Sequence, residues 1–268
     1  MTPLSPEEVR FFIDNGYLIK RGVLDSELMA RARDCLWSAP PPSLKRDDPS
    51  TWVGPIAEDE MDEDGNNYRK NFRWQYRLPG GEPWMVELLP KNPQIWAWAE
   101  QMLGVGTLVE PPRIRGIYCT LPYGDQPRKA TGCHCDGHPF NLGVVGYIDD
   151  VPPDGGGFAV WPGSHLSFYR DFVHQYRREP VDQYEKDRER FSKEAPVDAH
   201  GKAGDVLFWH HRLGHMANHN YSGQIRQAVL YDYIKRDVAA KAKAENEGPP
   251  RDNMWEDWSE QVQNLAAK

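Results

Sequence analysis

A histidine and a carboxylate stand two residues apart in Thr131-Gly132-Cys133-His134-Cys135-Asp136-Gly137-His138, and both are residue types that bind transition metals. Strand side chains alternate between faces, so a strand over residues 131–136 puts His134 and Asp136 on one face and Cys133 and Cys135 on the other. One imidazole and one carboxylate on a shared face make two thirds of a 2-His-1-carboxylate set, the facial triad that leaves open positions on a non-haem Fe(II). The third ligand has to come from elsewhere in the chain.

The segment Gly204-Asp205-Val206-Leu207-Phe208-Trp209-His210-His211-Arg212-Leu213-Gly214-His215 supplies several candidates, and His219 lies just beyond. His215 is the best placed. Arg226 follows it by eleven residues in a run, Ile225-Arg226-Gln227-Ala228-Val229-Leu230-Tyr231, that reads as a strand. Asn220-Tyr221-Ser222-Gly223 is a turn signal, so the two flanking strands are expected to pair and bring His215 and Arg226 into one pocket. Alternation also places His211 on the face of His215, as an inward neighbour of a metal, and turns His210 away. An arginine fork beside a metal grips a carboxylate bidentately, and an arginine aimed into a barrel needs an anion to offset its desolvation.

Positioning such residues takes a rigid frame, and the chain from 113 to 235 reads as short strands separated by Gly, Pro and Asp turns. The strands fall at 113–121, 131–136, 141–148, 157–161, 206–209 and 226–233, the pattern of an antiparallel barrel or two-sheet jelly roll. Helices bracket this core. Ser5-Pro6-Glu7-Glu8 is a capping box with proline at the first helical position, and Asp25 caps a second helix, so residues 5–38 are helical with a short strand at 17–20. Residues 40–70, rich in Pro, Asp, Glu and Asn, read as a mobile loop. After them comes a mixture of cations and aromatics, Arg69-Lys70-Asn71-Phe72-Arg73-Trp74-Gln75-Tyr76-Arg77, which is either a stacked surface or the wall of a pocket for an anion. A charged insertion at 172–202 carries opposite charges at helical spacing over 176–191 and predicts an exposed helix. Trp255 and Trp258 predict a closing helix at 251–266. The insertion and the 40–70 loop are both placed to gate a pocket in the barrel mouth.

The 268 residues, 39% hydrophobic and 27% charged, suit one globular domain over 1–268 that is mainly β with flanking helices. A net charge of −8 argues against a nucleic-acid partner, and no apolar run approaches a membrane span. The N-terminus has no basic start followed by an apolar stretch, so a cytoplasmic protein is expected. Cys35, Cys119, Cys133 and Cys135 lack the spacing of a zinc site or a disulfide framework and read as reduced thiols.

Several of these features together resemble the phytanoyl-CoA dioxygenase family. They are the His134-x-Asp136 pair, the segment Asp154-Gly155-Gly156-Gly157-Phe158 running on to Pro162-Gly163-Ser164-His165, the Gly204-Asp205 turn, His215, and Arg226-x-Ala228. The opening, with Phe12, Gly16-Tyr17-Leu18 and Gly22-Val23-Leu24, fits as well. The resemblance implies a double-stranded β-helix, a cupin-like jelly roll, with Fe(II) held in its mouth by His134, Asp136 and His215. It further implies 2-oxoglutarate as cosubstrate, held by Arg226 beside Ala228, with Tyr118 and Thr120 as further candidates for the cosubstrate pocket. Ascorbate would serve as the reductant of an assay. Members often carry a serine or threonine two residues past the distal histidine, where this chain has Ala217. The implied reaction is hydroxylation of a C–H bond of a small organic substrate, with O2 consumed and succinate and CO2 released. Arg115, His138, His211 and Trp209 are the candidates for touching that substrate. Halogenating relatives replace the carboxylate ligand by a small residue, and here Asp136 fills that position. Two other classes remain open: a non-catalytic sensor of 2-oxoglutarate or metal, and a metal hydrolase or isomerase on the same barrel.

Overall fold

The N-terminal capping box forms as read. In a computed structural model of the protein, which describes residues 1–177, 179–238, 240–241 and 253–268, the Ser5 hydroxyl accepts from the Glu8 N–H at 3.3 Å and Glu8 Oε2 accepts the Ser5 N–H at 2.9 Å. Helix α1 (Pro6–Asn15) ends at Gly16, whose φ of 79° is the left-handed turn that glycine adopts without strain. Strand β1 (Tyr17–Lys20) and helix α2 (Ser26–Leu36) follow, the latter capped by Asp25.

The remaining strands are β2 (Asn67–Lys70), β3 (Arg73–Tyr76), β4 (Ile117–Thr120), β5 (Leu142–Tyr147), β6 (Phe158–Val160), β7 (Val197–Ala199), β8 (Val206–His210), β9 (His215–Ala217) and β10 (Arg226–Tyr233). The helices between and after them are α3 (Pro83–Leu88), α4 (Pro93–Leu103), α5 (Ser164–Arg170), α6 (Gln183–Ser192) and α7 (Glu260–Ala266). A seven-stranded sheet in the order β1-β8-β5-β10-β4-β3-β2 faces a three-stranded sheet in the order β7-β6-β9, with every pairing antiparallel. This is the double-stranded β-helix, with its larger sheet open at the edges. Its interior is filled by alternate residues such as Val145, Tyr147, Phe158, Val160, Leu207, Trp209, Ala228 and Leu230. The opposite face of the large sheet, through Val144, Phe208, Val229 and Tyr231, packs on the helices in a second and larger core.

Several stretches depart from the sequence reading. Residues 131–136 form no strand: only His134 is bridged, to His215. Val197–Ala199 adds a strand, β7, that the charged insertion concealed. Residues 40–70 hold more structure than their polarity suggests, because Leu44 and Ile56 are buried and Asn67–Lys70 pairs with β3. The connection from β9 to β10 is no hairpin. β9 pairs with β6, and β10 with β4 and β5, so the chain crosses from one sheet to the other. Asn220 directs the crossing: its amide donates to the carbonyls of Thr120 (2.9 Å) and Gln224 (2.7 Å), and its own backbone bridges to Pro122 and Gly155.

The insertion helix begins at Gln183, not 176, because Pro180 interrupts the run, and it is not wholly exposed. Tyr184 and Phe191 are buried against Phe168, Phe172, Cys133 and Cys135. The closing helix is likewise shorter than 251–266. Ser259 caps it at Glu260, and residues 251 and 252 lie outside the described residues. Trp255 and Trp258 sit in the preceding turn, against Phe12 and His210.

Burial beneath that turn has a consequence for stability. Burial lowers His165 to about 4, against an ordinary value of 6.5, and holds His210 and His211 well below it. These imidazoles are therefore neutral in the folded chain and take up protons more readily when unfolded, so the stability they contribute is present above about pH 6.5 and lost as the pH falls toward 4. The unfolding midpoint of the metal-free protein is expected to drop across that window. A His165→Phe variant should show a shallower decline, and identical slopes would remove His165 from the account.

Candidate metal centre

His134 and His215 are joined through their backbones: the His215 N–H donates to the His134 carbonyl at 2.8 Å, and the reverse bond is 3.3 Å. This pair substitutes for the missing strand, and the alternation holds around it. Cys133 and Cys135 point into the packing behind the centre while His134 and Asp136 point into the mouth. One ligand atom from each of His134, Asp136 and His215 lies within 4.8 Å of the others. An ion about 2.0–2.2 Å from each donor fits this set after small side-chain rotations.

The donor chemistry fits too. The Nδ1 of His215 lies 2.8 Å from the Leu213 carbonyl, which fixes the proton there and leaves the Nε2 lone pair facing Asp136 Oδ2 at 3.6 Å. His215 is buried, with its ring stacked on Phe158 and beside Trp209. The ring of His134 reaches solvent at the mouth, yet dense packing around it, followed by the neighbouring His215, lowers its pKa to about 4, so it is neutral and available as a ligand. For Asp136, burial works against ionisation, but His215, Arg115, His138 and His134 outweigh it and hold the carboxyl below its ordinary value.

Helix α6 braces the loop that carries these ligands. The Cys133 N–H donates to Ser192 Oγ at 2.9 Å and the Cys135 N–H to the Tyr184 hydroxyl at 3.3 Å. Side chains of the insertion thus take the donors that a neighbouring strand would otherwise accept. Tyr184→Phe leaves a buried N–H unpaired, a loss of roughly 1–3 kcal/mol. It is expected to weaken metal binding several-fold, read by titration with Fe(II). An unchanged metal affinity would show that α6 does not hold the ligand loop.

Arg226 stands on the inward face of β10, in line with Ala228 and Leu230. It is 2% exposed. One nitrogen donates to the Tyr118 carbonyl at 3.1 Å, the guanidinium lies 5.8 Å from the centre of the Tyr147 ring, and Nε and Nη2 have no partner. Burial lowers its pKa, and among the described residues no carboxylate is paired with it. A cation so placed calls for an anionic ligand. Strand register sets Thr120 opposite Arg226 and Tyr118 opposite Ala228 on the same inward face, so these four line one wall.

The candidate substrate residues divide. Arg115 and His138 reach the centre: Arg115 Nη2 is 3.5 Å from Asp136 Oδ2 and 3.0 Å from His138 Nε2, and both residues bond Asp232. They also line a cavity of about 390 Å³ with Val109, Ile114 and Tyr231. Trp209 is fully buried behind His215, lying across Gly143, where any Cβ would come within 2.1 Å of the indole. His211 is not brought to the metal group; it is stacked on Tyr176 beneath the C-terminal turn. His210 and His219 are likewise outside the ligand set. A roomier cavity of about 620 Å³, lined by Arg21, Asp150, His200 and Lys202 among others, touches none of the triad.

Sequence reasoning missed Asp232 and did not single out Arg73. Asp232 lies on the inward face of β10 at the opposite end from Arg226, so the period of two was the available signal. Arg73 is set opposite Thr120 by the pairing of β3 with β4, and it donates to the Ala217 carbonyl at 3.3 Å.

Comparison with known proteins bears out the resemblance read from the sequence. The model of the phytanoyl-CoA dioxygenase (PhyH) family matches residues 125–228. No curated protein matches the chain in sequence. Among solved structures, the non-heme alpha ketoglutarate dependent carbocyclase SnoK from nogalamycin biosynthesis is 21% identical, with 95% of each chain covered and a TM-score of 0.56. EctD from S. alaskensis, with 2-oxoglutarate and 5-hydroxyectoine, is 18% identical over 88% of this chain and 77% of its own, with a TM-score of 0.58. The epimerase SnoN, in complex with Fe3+, alpha ketoglutarate and nogalamycin RO, is 21% identical over 85% of this chain and 82% of its own, with a TM-score of 0.55. At these identities the likeness speaks for the fold. No helix among the described residues is long and apolar enough to cross a membrane.

Proposed function

We propose that the protein is an Fe(II)- and 2-oxoglutarate-dependent oxygenase that oxidises a C–H bond of a small organic substrate, by hydroxylation, with release of succinate and CO2. The observation that carries this reading is the joint presence, in one barrel, of the His134, Asp136 and His215 cluster and a buried Arg226 with two unpaired nitrogens. A metal hydrolase would have no use for Arg226. SnoK is a carbocyclase and SnoN an epimerase, and hydroxylation is the simplest outcome of the same oxidising centre.

His134, Asp136 and His215 would hold the iron, and Arg226, with Thr120 and Tyr118 beside it, would receive the far carboxylate of 2-oxoglutarate. Iron and cosubstrate together supply the oxidation of the substrate, coupled to decarboxylation of the keto acid. The protein's part is placement. Arg115, fixed by Asp232, holds its charge against Asp136, while Arg115 and His138 face the 390 Å³ cavity and would meet the substrate there. Trp209 and Phe158 close the back of the centre against water.

The test is succinate release under Fe(II), ascorbate, O2 and 2-oxoglutarate across a mixed metabolite panel. Succinate formation that depends on all of these supports the reading. Binding without turnover under any condition would favour a sensor, and oxygen-independent activity with zinc a hydrolase. Because Asp136 occupies its ligand position, products formed in chloride buffer are expected to carry oxygen and no chlorine; a chlorinated product by mass spectrometry would contradict the ligand set.

A further inference from the structure

The inward row that begins at Arg226 does not end with Thr120. Strand pairing sets Thr120 opposite Arg226 on one side and opposite Arg73 on the other, so two arginines flank one hydroxyl on a single face. Neighbouring strands lie roughly 4.8 Å apart, which puts the two arginine backbones about 10 Å from each other. The Arg73 side chain is half-buried and crosses to the small sheet, where it donates to the Ala217 carbonyl at 3.3 Å, on the strand that starts at His215. It forms no ion pair with any carboxylate among the described residues.

A half-buried guanidinium beside metal ligands, with a second one across Thr120, concentrates positive charge that the described carboxylates leave unpaired. A bound metal would add to it, so the arrangement demands anionic groups at both arginines. The cosubstrate of the reading above is a dianion with a carboxylate at each end. Resting on that reading, we infer that Arg73 is a second cosubstrate-binding residue and receives the keto-acid carboxylate at the metal, while Arg226 receives the far one. Arg73 is the one of the two that reaches the metal-ligand strand, which assigns the ends.

The experiment compares two keto acids on the full-length protein loaded with Fe(II) under anaerobic conditions. 2-Oxoglutarate has both carboxylates, and 2-oxobutanoate has only the one beside the keto group. The charge-transfer absorption of a keto acid on ferrous iron reports each affinity, with competition against 2-oxoglutarate where the signal is weak. Arg73→Gln is expected to weaken both keto acids roughly tenfold or more, as loss of a charged hydrogen bond implies, at unchanged iron affinity. Arg226→Gln is expected to weaken 2-oxoglutarate alone. Arg73→Lys, which keeps the charge, should recover part of the loss, a recovery that a merely structural role would not produce. Wild-type affinity of Arg73→Gln for both keto acids would overturn the inference and leave Arg73 for the substrate. A loss confined to 2-oxoglutarate would overturn it as well, by moving Arg73 to the far carboxylate. Wild-type protein that forms no 2-oxoglutarate complex would instead defeat the functional reading, and the Arg73 assignment with it.

Discussion

Substituting His215 by alanine is expected to abolish stoichiometric Fe(II) binding and, with it, all 2-oxoglutarate turnover. Two donors remain in the variant, His134 and Asp136, and neither compensates, since His134 lies at the solvent edge and Asp136 is shared with Arg115. His215 is also the donor with the best-defined geometry, because the Leu213 carbonyl fixes its tautomer and Phe158 and Trp209 fix its ring. Its removal leaves a space between two aromatics, so some loss of stability accompanies the loss of metal. His215→Gln keeps most of the volume and separates the two effects. Iron content after equilibrium dialysis, read beside the thermal midpoint, measures both. Full iron occupancy and activity in a folded His215→Ala protein would sink the assignment. His211 could not then be substituted in its place, since its ring sits under the C-terminal turn against Tyr176 and His210.

The parts of this centre that were legible in the sequence are those set by local rules. The two-residue spacing of His134 and Asp136 puts them on one face in any extended conformation, and that held although residues 131–136 form no strand. The Ser5–Glu8 capping box and the β10 run also follow from neighbours in the chain. What failed depended on partners distant in sequence. The segment carrying His134 is secured by Ser192 and Tyr184 from a helix that reads as solvent-exposed, and its charged residues hid the two contacts that matter. The turn signal at Asn220 was real, but its side chain bonds Thr120 on another strand and so redirects the chain between sheets. His211 was expected to face the metal by continuing the β8 alternation, yet β8 ends at His210 and the rule lapses there. Arg73 could not be ranked above its basic neighbours until the register with Thr120 was known.

The second large effect is expected at Arg226. Arg226→Gln should weaken 2-oxoglutarate binding by roughly 2–5 kcal/mol, the range for losing one partner of a buried charged pair. The same substitution should leave the stability of the ligand-free protein unchanged or higher. In the absence of an anion, Arg226 is a buried cation with Nε and Nη2 unpaired and its remaining bond made to a neutral carbonyl, so it costs folding free energy that the bound carboxylate offsets. Glutamine keeps a hydrogen-bonding head for the Tyr118 carbonyl and removes the charge. Two measurements follow: the thermal midpoint without ligand, and its rise on adding saturating 2-oxoglutarate with Fe(II). In the wild type the rise should be large, because ligand binding to the folded state alone adds its own free energy to stability. In Arg226→Gln it should largely vanish while the ligand-free midpoint holds. A variant that loses stability without ligand yet keeps the wild-type rise would show that Arg226 supports the barrel instead of the cosubstrate.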